Sequence, residues 1–277
     1  MGKIISIANQ KGGVGKTTST YNIAAALSLK GYNVLMIDMD IQCSLTHCCT
    51  LEKDIPGYED IGTCDLFENN IEPLDCCFPV MTMYPTISWD KPEEVKDKDW
   101  EKVKLYIVPS SPKMAETQRN INMIGGTNKF KIFRKNMEVL KEAYDYVILD
   151  CLPTLDGLLT ASLSASDGVI IPVKPEIMSY DGIKYLIDTI ESVQKTPESS
   201  IANKNLKVLG VIVTMFRGQV KEHKELLERL KTEHNVLGVI PMSASVTSGV
   251  AQGLPVIKKR PTSAAAQEYT RISVENL

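Results

Sequence analysis

The residue types with the most chemistry in them stand together near the amino terminus, in Lys11-Gly12-Gly13-Val14-Gly15-Lys16-Thr17-Thr18. Glycines let the backbone curl so that successive N–H groups face inward, and such a concavity suits phosphate oxygens. A helix that starts where the loop ends adds the positive end of its dipole. Lys16 is then placed to reach the β- and γ-phosphates of a nucleotide, and Thr17 offers a hydroxyl to Mg²⁺. A glycine turn with two surface lysines is the plain alternative, and the flanking residues decide against it. The apolar run Lys3 to Ala8 precedes the loop, and Thr17 to Lys30 follows it with Ile23, Ala24 and Leu27 at helical spacing and Gly31 as the stop. Gln10 stands where an ordinary phosphate loop has glycine, and a second lysine, Lys11, precedes the glycines.

Three carboxylates end apolar runs elsewhere. Asp38 and Asp40 close the run that starts at Asn33, and the period-two alternation of a strand predicts both on one face, aimed at the phosphate crevice. Asp150 ends Tyr146-Val147-Ile148-Leu149. An Asp that caps a strand or the next helix is the competing reading for each.

The elements that must position these groups follow from the pattern. Strands are expected at Lys3 to Ala8, Asn33 to Asp38, Lys104 to Val108, Tyr146 to Asp150, Gly168 to Val173, Val208 to Thr214 and Val236 to Ile240, with helical stretches between most of them. That alternation predicts an α/β fold, a doubly wound, mostly parallel sheet buried on both faces and flanked by helices. The 277 residues show no repeat and no linker and read as a single domain, 1–277, with an irregular surface excursion around 51–102 that holds Trp89 and Trp100. Lys plus Arg (31) against Asp plus Glu (34) leaves −3, so any nucleic-acid contact must come from a local patch. The apolar runs are far shorter than the ~20 residues of a membrane span, and a cytoplasmic chain is expected. The seven cysteines, six of them between 43 and 77, lack a CxxC pair and read as small buried thiols in preference to a metal nest.

The loop Lys11 to Thr18 resembles, letter for letter, the KGGVGKTT loop of the deviant Walker A ATPases of the ParA/MinD class. The likeness extends through Asn22 to Leu27, Val34 to Asp40 with Gln42, Tyr146 to Asp150, Ile171-Pro172-Val173, Gly210 to Met215 and Ile240-Pro241. It implies a P-loop fold with ATP and Mg²⁺ as cofactors and weak intrinsic hydrolysis. Gly12, Gly13, Val14, Gly15, Lys16, Thr17 and Thr18 would cradle the phosphates, with the adenine near Met215 and Pro241, although Met215 reads equally as core. By the same resemblance Thr17, Asp38 and Asp150 belong to the magnesium site and Asp40 to the attacking water. Lys11 would cross a nucleotide-sandwiched homodimer to the partner's phosphates. ATP is favoured over GTP because Asn128-Lys129 and Asn203-Lys204 are not followed by the Asp that reads guanine. Ile41 for the usual proline, and Leu152-Pro153 for the usual proline pair, alter the two switch turns while leaving every catalytic group in place.

Within the class the resemblance favours plasmid or chromosome partitioning. An ATP dimer would bind DNA non-specifically, associate with the nucleoid and be stimulated by a ParB-like centromere-binding protein. The arginines expected after Ile240-Pro241 are replaced by Met242 and Ser245, so Lys258, Lys259 and Arg260, with Arg217, Lys221 and Lys224, become the candidate phosphate contacts. A MinD-like positioning ATPase is the alternative, but Thr262 to Leu277 lacks the lysine-flanked apolar stripe of an anchor, so no stable membrane association is expected. A nucleotide-dependent interaction scaffold with negligible turnover is the other.

Overall fold

The computed structural model describes residues 2–49, 61–84, 102, 104–123, 127–176, 179–197, 201–250 and 252–277. Among these residues the apolar runs pair into one sheet of eight strands: β1 (Lys3–Ile7), β2 (Val34–Asp38), β3 (Phe78–Pro79), β4 (Leu105–Val108), β5 (Tyr146–Asp150), β6 (Gly168–Val173), β7 (Lys207–Phe216) and β8 (Val236–Pro241). Their spatial order is β3-β4-β2-β5-β1-β6-β7-β8, parallel throughout except where β3 meets β4. The sequence pattern does not mark β3. It is two residues at the sheet edge, where a proline gives up no ladder hydrogen bond.

The helices are α1 (Lys16–Leu29), α2 (Ser44–Cys49), α3 (Met114–Asn122), α4 (Thr127–Ala143), α5 (Gly157–Ala165), α6 (Ser179–Lys195), α7 (Lys221–Glu233), α8 (Ala244–Val250), α9 (Val256–Lys259) and α10 (Ala264–Glu275). Strand alternation splits the apolar side chains into two cores. Leu35, Ile37, Val147 and Leu149 face a core closed by Phe133, Met137 and Leu140 of α4 and Leu158 and Leu159 of α5. Val34, Met36, Tyr146 and Ile148 face the other, closed by α1 and by Tyr269 and Ile272 of α10. Ser19 to Ser28 of α1 are all buried, because the helix is sandwiched between the sheet and α10 and its Ala24-Ala25-Ala26 run permits close approach on every side.

The expected surface excursion is partly outside the described residues, at 51–60 and 85–101 with Trp89 and Trp100. Its described part, 61–84, contradicts a surface placement. Leu66 and Phe67 are fully buried in one core and Val80 in the other, and the Phe67 ring stacks on Phe133 at 4.4 Å between centroids. Tight 3₁₀ turns at Thr63–Phe67 and Pro73–Cys76 bring these side chains inward, and such turns carry no 3.6-residue period for a sequence pattern to reveal. Phe67→Ala is therefore expected to cost about 3–5 kcal/mol in chemical denaturation, the usual range for emptying a buried aromatic site. An unchanged midpoint would show that 61–84 does not belong to the core.

Candidate functional site

The parallel register sets the site. Asp38 pairs with Asp150 and Ile7 pairs with Asp150, so β2, β5 and β1 finish level, and the loop leaving β1 rises directly above two carboxylates. By strand parity Asp38 lies with Val34 and Met36, and Asp150 with Tyr146 and Ile148. Both carboxylates are thus on the α1 side of the sheet, in the crevice beyond the carboxyl ends of the strands where ligands of such sheets bind.

Buried Asn9 fastens the start of the loop. Its Oδ1 accepts the Lys11 N–H at 2.9 Å and its Nδ2 donates to the Pro172 carbonyl at 2.7 Å. Gly13 (φ 68°) and Gly15 (φ 86°) hold left-handed conformations that side chains resist, which is the reason glycine stands at both. Val14 between them is fully buried, and its carbonyl accepts the Thr214 hydroxyl at 2.8 Å. The loop is thereby tied to β6 and β7 at two points, and it ends at the amino terminus of α1.

Lys16 is 8% exposed, and its Nζ donates to the Lys11 carbonyl at 3.2 Å. Burial lowers its pKa, opposed chiefly by the charge of Asp150. Asp38 is fully buried. One oxygen accepts the Thr46 N–H at 2.8 Å and hydroxyl at 2.7 Å, and the other accepts the Asp40 N–H at 3.0 Å. Even so, burial pushes its pKa up to about 6. Asp150 accepts the Thr20 hydroxyl at 3.2 Å and faces the Thr17 hydroxyl; burial first, then the charge of Asp38, pushes its pKa up to about 8. The Lys16 ammonium acts on Asp150, and Asp38 has only hydroxyl and N–H partners, so the donor set is short of positive charge when both carboxyls are ionised. Oxygen ligands with a neighbouring hydroxyl fit a hard divalent cation such as Mg²⁺, with Thr17, Asp38 and Asp150 the residues to hold it.

Asp40 needs a correction. β2 ends at Asp38, so alternation does not direct the Asp40 side chain; instead its Oδ1 caps the Gln42 N–H at 2.9 Å in a turn. It remains within electrostatic reach of Lys16.

Beside the loop opens a cavity of about 670 Å³ lined by Gly15, Thr18, Met215, Ile240, Pro241 and Tyr269. Met215 and Pro241, the expected adenine contacts, therefore lie on one wall of a space contiguous with the phosphate loop. Met215 has φ 53°, a left-handed conformation that costs a non-glycine residue of order 1 kcal/mol, where the β7–β8 register shifts between Val213 and Phe216.

The DNA candidates are not brought together as one exposed cluster. Lys258 is half-buried, and its ammonium donates to the Thr82 and Met83 carbonyls, so that charge serves the fold. Lys259 donates to the Ser248 hydroxyl at 2.8 Å, Arg217 meets the Met242 sulfur, and Lys221 pairs with Glu225 at 3.4 Å. Arg260 is exposed. The segment carrying Lys258 to Arg260 rests on α1, since the Tyr21 hydroxyl donates to the Gly253 carbonyl and Asn22 accepts the Val256 N–H, at 2.9 and 2.8 Å.

Sequence reasoning missed Asn9, Thr214 and an ion pair between Lys11 and Glu176 at 2.6 Å. Their partners are remote in the chain, and only the residue type of Asn9, placed between strand and loop, carried any local signal.

A family model for an AAA domain matches residues 2–208. The sporulation initiation inhibitor protein Soj of Bacillus subtilis (strain 168) is 30% identical over 280 residues, 99% of this chain and 98% of that protein. A plasmid partition protein from Borrelia burgdorferi is similar in structure at TM-score 0.72 and 26% identity, covering 98% of this chain and 96% of that one. The septum site-determining protein MinD of Pyrococcus horikoshii OT3, complexed with Mg-ADP, shares the fold at TM-score 0.70 and 21% identity, over 99% and 95% of the two chains.

The raised carboxyls make stability depend on pH. The folded chain retains protons that the unfolded chain releases near pH ~4, so these groups favour the folded state most below that pH. Their contribution falls from pH ~4 upward and is fully lost at about 6 for Asp38 and about 8 for Asp150. Nucleotide-free protein is expected to lose stability between pH ~4 and ~8, through both groups up to about 6 and through Asp150 alone above it, each group adding at most about 1.4 kcal/mol per pH unit. In urea titrations Asp150→Asn should flatten the upper half of that fall. An identical pH profile for the variant would refute the burial of an ionisable Asp150.

Proposed function

The chain belongs to the ParA/MinD superfamily of P-loop ATPases, and from that premise we propose that it is a ParA-like partitioning ATPase that dimerises around ATP and Mg²⁺, binds DNA without sequence preference and hydrolyses ATP weakly until a ParB-like partner stimulates it. The observation that carries this reading is the convergence of the Lys11 to Thr18 loop with Asp38 and Asp150 at level strand ends, with Asp40 in the turn just beyond. The phosphates would lie against the loop N–H groups with Lys16 alongside, and the base in the cavity at Met215 and Pro241. The Mg²⁺ held by Thr17, Asp38 and Asp150 would neutralise charge on the β- and γ-phosphates. Asp40 stands at the mouth of the site with one oxygen engaged in its turn, which leaves the other to align a water.

Lys11 is assigned to the partner's phosphates. Its pair with Glu176 supports a residue able to leave: the two side chains are 31% and 50% exposed, and exposed pairs contribute under about 1 kcal/mol. The apolar face of α10 is spent inside the protein, with Ala265, Ala266, Tyr269 and Ile272 all buried, which supports DNA over a membrane surface as the cargo side. Among the described residues no helix is long and apolar enough to cross a membrane. The Lys259-Arg260 face, mounted on α1, supports a DNA contact that nucleotide state can influence.

Asp40→Ala is expected to keep ATP-dependent dimerisation while turnover falls roughly 10²-fold or more, the scale of a positioned acid–base group. Sedimentation with ATP and a phosphate-release assay check this, and wild-type turnover would move the role elsewhere. Lys11→Ala should still bind nucleotide but remain monomeric; a normal ATP dimer would sink the cross-subunit role. For DNA, the ATP state should bind unrelated duplexes about equally and the ADP state much more weakly. Lys259→Ala with Arg260→Ala should reduce the magnitude of the log–log salt slope by up to about 3.6 if both protomers engage. No duplex binding at low salt, together with flotation on anionic vesicles, would replace partitioning with the positioning alternative.

A further inference from the structure

The connection leaving β6 reads Lys174-Pro175-Glu176, and it passes over the phosphate loop. The Lys174 ammonium is 4.0 Å from the point where a Cβ on Gly13 would stand, above the left-handed bend of the loop. Its backbone is fixed to that loop. Val173, buried and next in the chain, and Val14 of the loop both present their carbonyls to the one Thr214 hydroxyl, at 3.3 and 2.8 Å. Pro175 then restricts the chain immediately after it. Glu176 lies close enough to sense Lys174, yet gives its carboxylate to Lys11. Among the described residues the Lys174 ammonium makes no hydrogen bond and no ion pair.

Lys174 also lines, with Glu176, Arg217 and His223, a cavity of about 230 Å³ that shares Met215 and Met242 with the larger cavity beside the loop. An ammonium with no hydrogen-bond or ion-pair partner among the described residues is therefore held beside Gly13, in the loop that leads into α1. A polyanion that enters here can take a charge-assisted contact from this ammonium, and each such contact strengthens binding.

We propose that Lys174 is a third lysine for the nucleotide, which reaches down from the β6 connection to the polyphosphate in its own protomer. It is distinct from Lys16 in the loop and from Lys11 of the opposite protomer. The inference rests on the ATPase reading and adds a binding residue to it.

Calorimetric titration of wild type, Lys174→Gln and Lys174→Arg with AMPPNP and Mg²⁺, and with AMP by competition, separates the possibilities. Lys174→Gln should weaken AMPPNP binding about tenfold, the loss of one charged contact, while Lys174→Arg stays within about threefold of wild type. AMP affinity should change by less than about twofold, and the melting temperature without nucleotide should hold. Equal AMPPNP affinity in wild type and Lys174→Gln would overturn the inference and leave the ATPase reading standing. An equal loss for AMP and AMPPNP would overturn it too, by showing a distorted loop. A wild type that takes up no nucleotide would overturn both.

Discussion

Two carboxylates on adjacent, level strand ends, buried away from water with the Lys16 ammonium within reach of Asp150, are the constraint around which the rest is arranged. Burying a charge is costly unless it is paired, and Asp38 and Asp150 are paired only in part, by hydroxyls, by N–H groups and by Lys16. The β2–β5 register makes that proximity unavoidable, because a slip by one residue would turn Asp38 away to the opposite face. At neutral pH the unliganded protein avoids the cost of two buried charges by holding a proton on Asp150, and an electrostatic deficit appears only when both carboxyls ionise. A cation that arrives with a polyphosphate removes the deficit, and its binding is correspondingly favoured.

The phosphate loop and α1 transmit this condition outward. The loop is anchored by Asn9 to the Pro172 carbonyl of β6 and by Thr214 to β7, so its two left-handed glycines sit in a frame set by strands remote in sequence. From the loop, α1 runs through the middle of one core and touches the carboxyl-terminal segment on its far side through Tyr21, Asn22 and the Ser19–Tyr269 hydroxyl contact. The amino-terminal half of α1 is thus in direct contact with the segment that carries Lys259 and Arg260. Packing of this density shifts between discrete arrangements and does not deform smoothly, which suits a switch.

Much of this was legible in the residues. Seven of the eight strands announce themselves as apolar runs because a parallel strand buried on both faces has no polar positions. The loop announces itself because phosphate chemistry needs glycine, lysine and threonine in a fixed order. What escaped was of three physical kinds. The inward packing of Leu66 and Phe67 depends on 3₁₀ turns, which leave no period. The Asp40 orientation was misread because β2 stops at Asp38 and an Asx turn takes over. The inward Lys258, and Lys174 above Gly13, depend on partners far away in the chain: Thr82 and Met83 for one, the phosphate loop for the other. No local pattern encodes such meetings.

The buried carboxyl of Asp150 offers the most direct measurement. With its pKa pushed up to about 8 in the unliganded chain, it is mostly protonated at neutral pH, and on the proposed Mg²⁺ assignment it would ionise when Mg²⁺ and nucleotide bind. Calorimetric titration of Mg·AMPPNP at pH ~7 in buffers of different ionisation enthalpy counts the protons released on binding, and close to one per site is expected. A binding heat that is the same in every buffer, with no proton released, would contradict a site built on an under-compensated carboxylate pair.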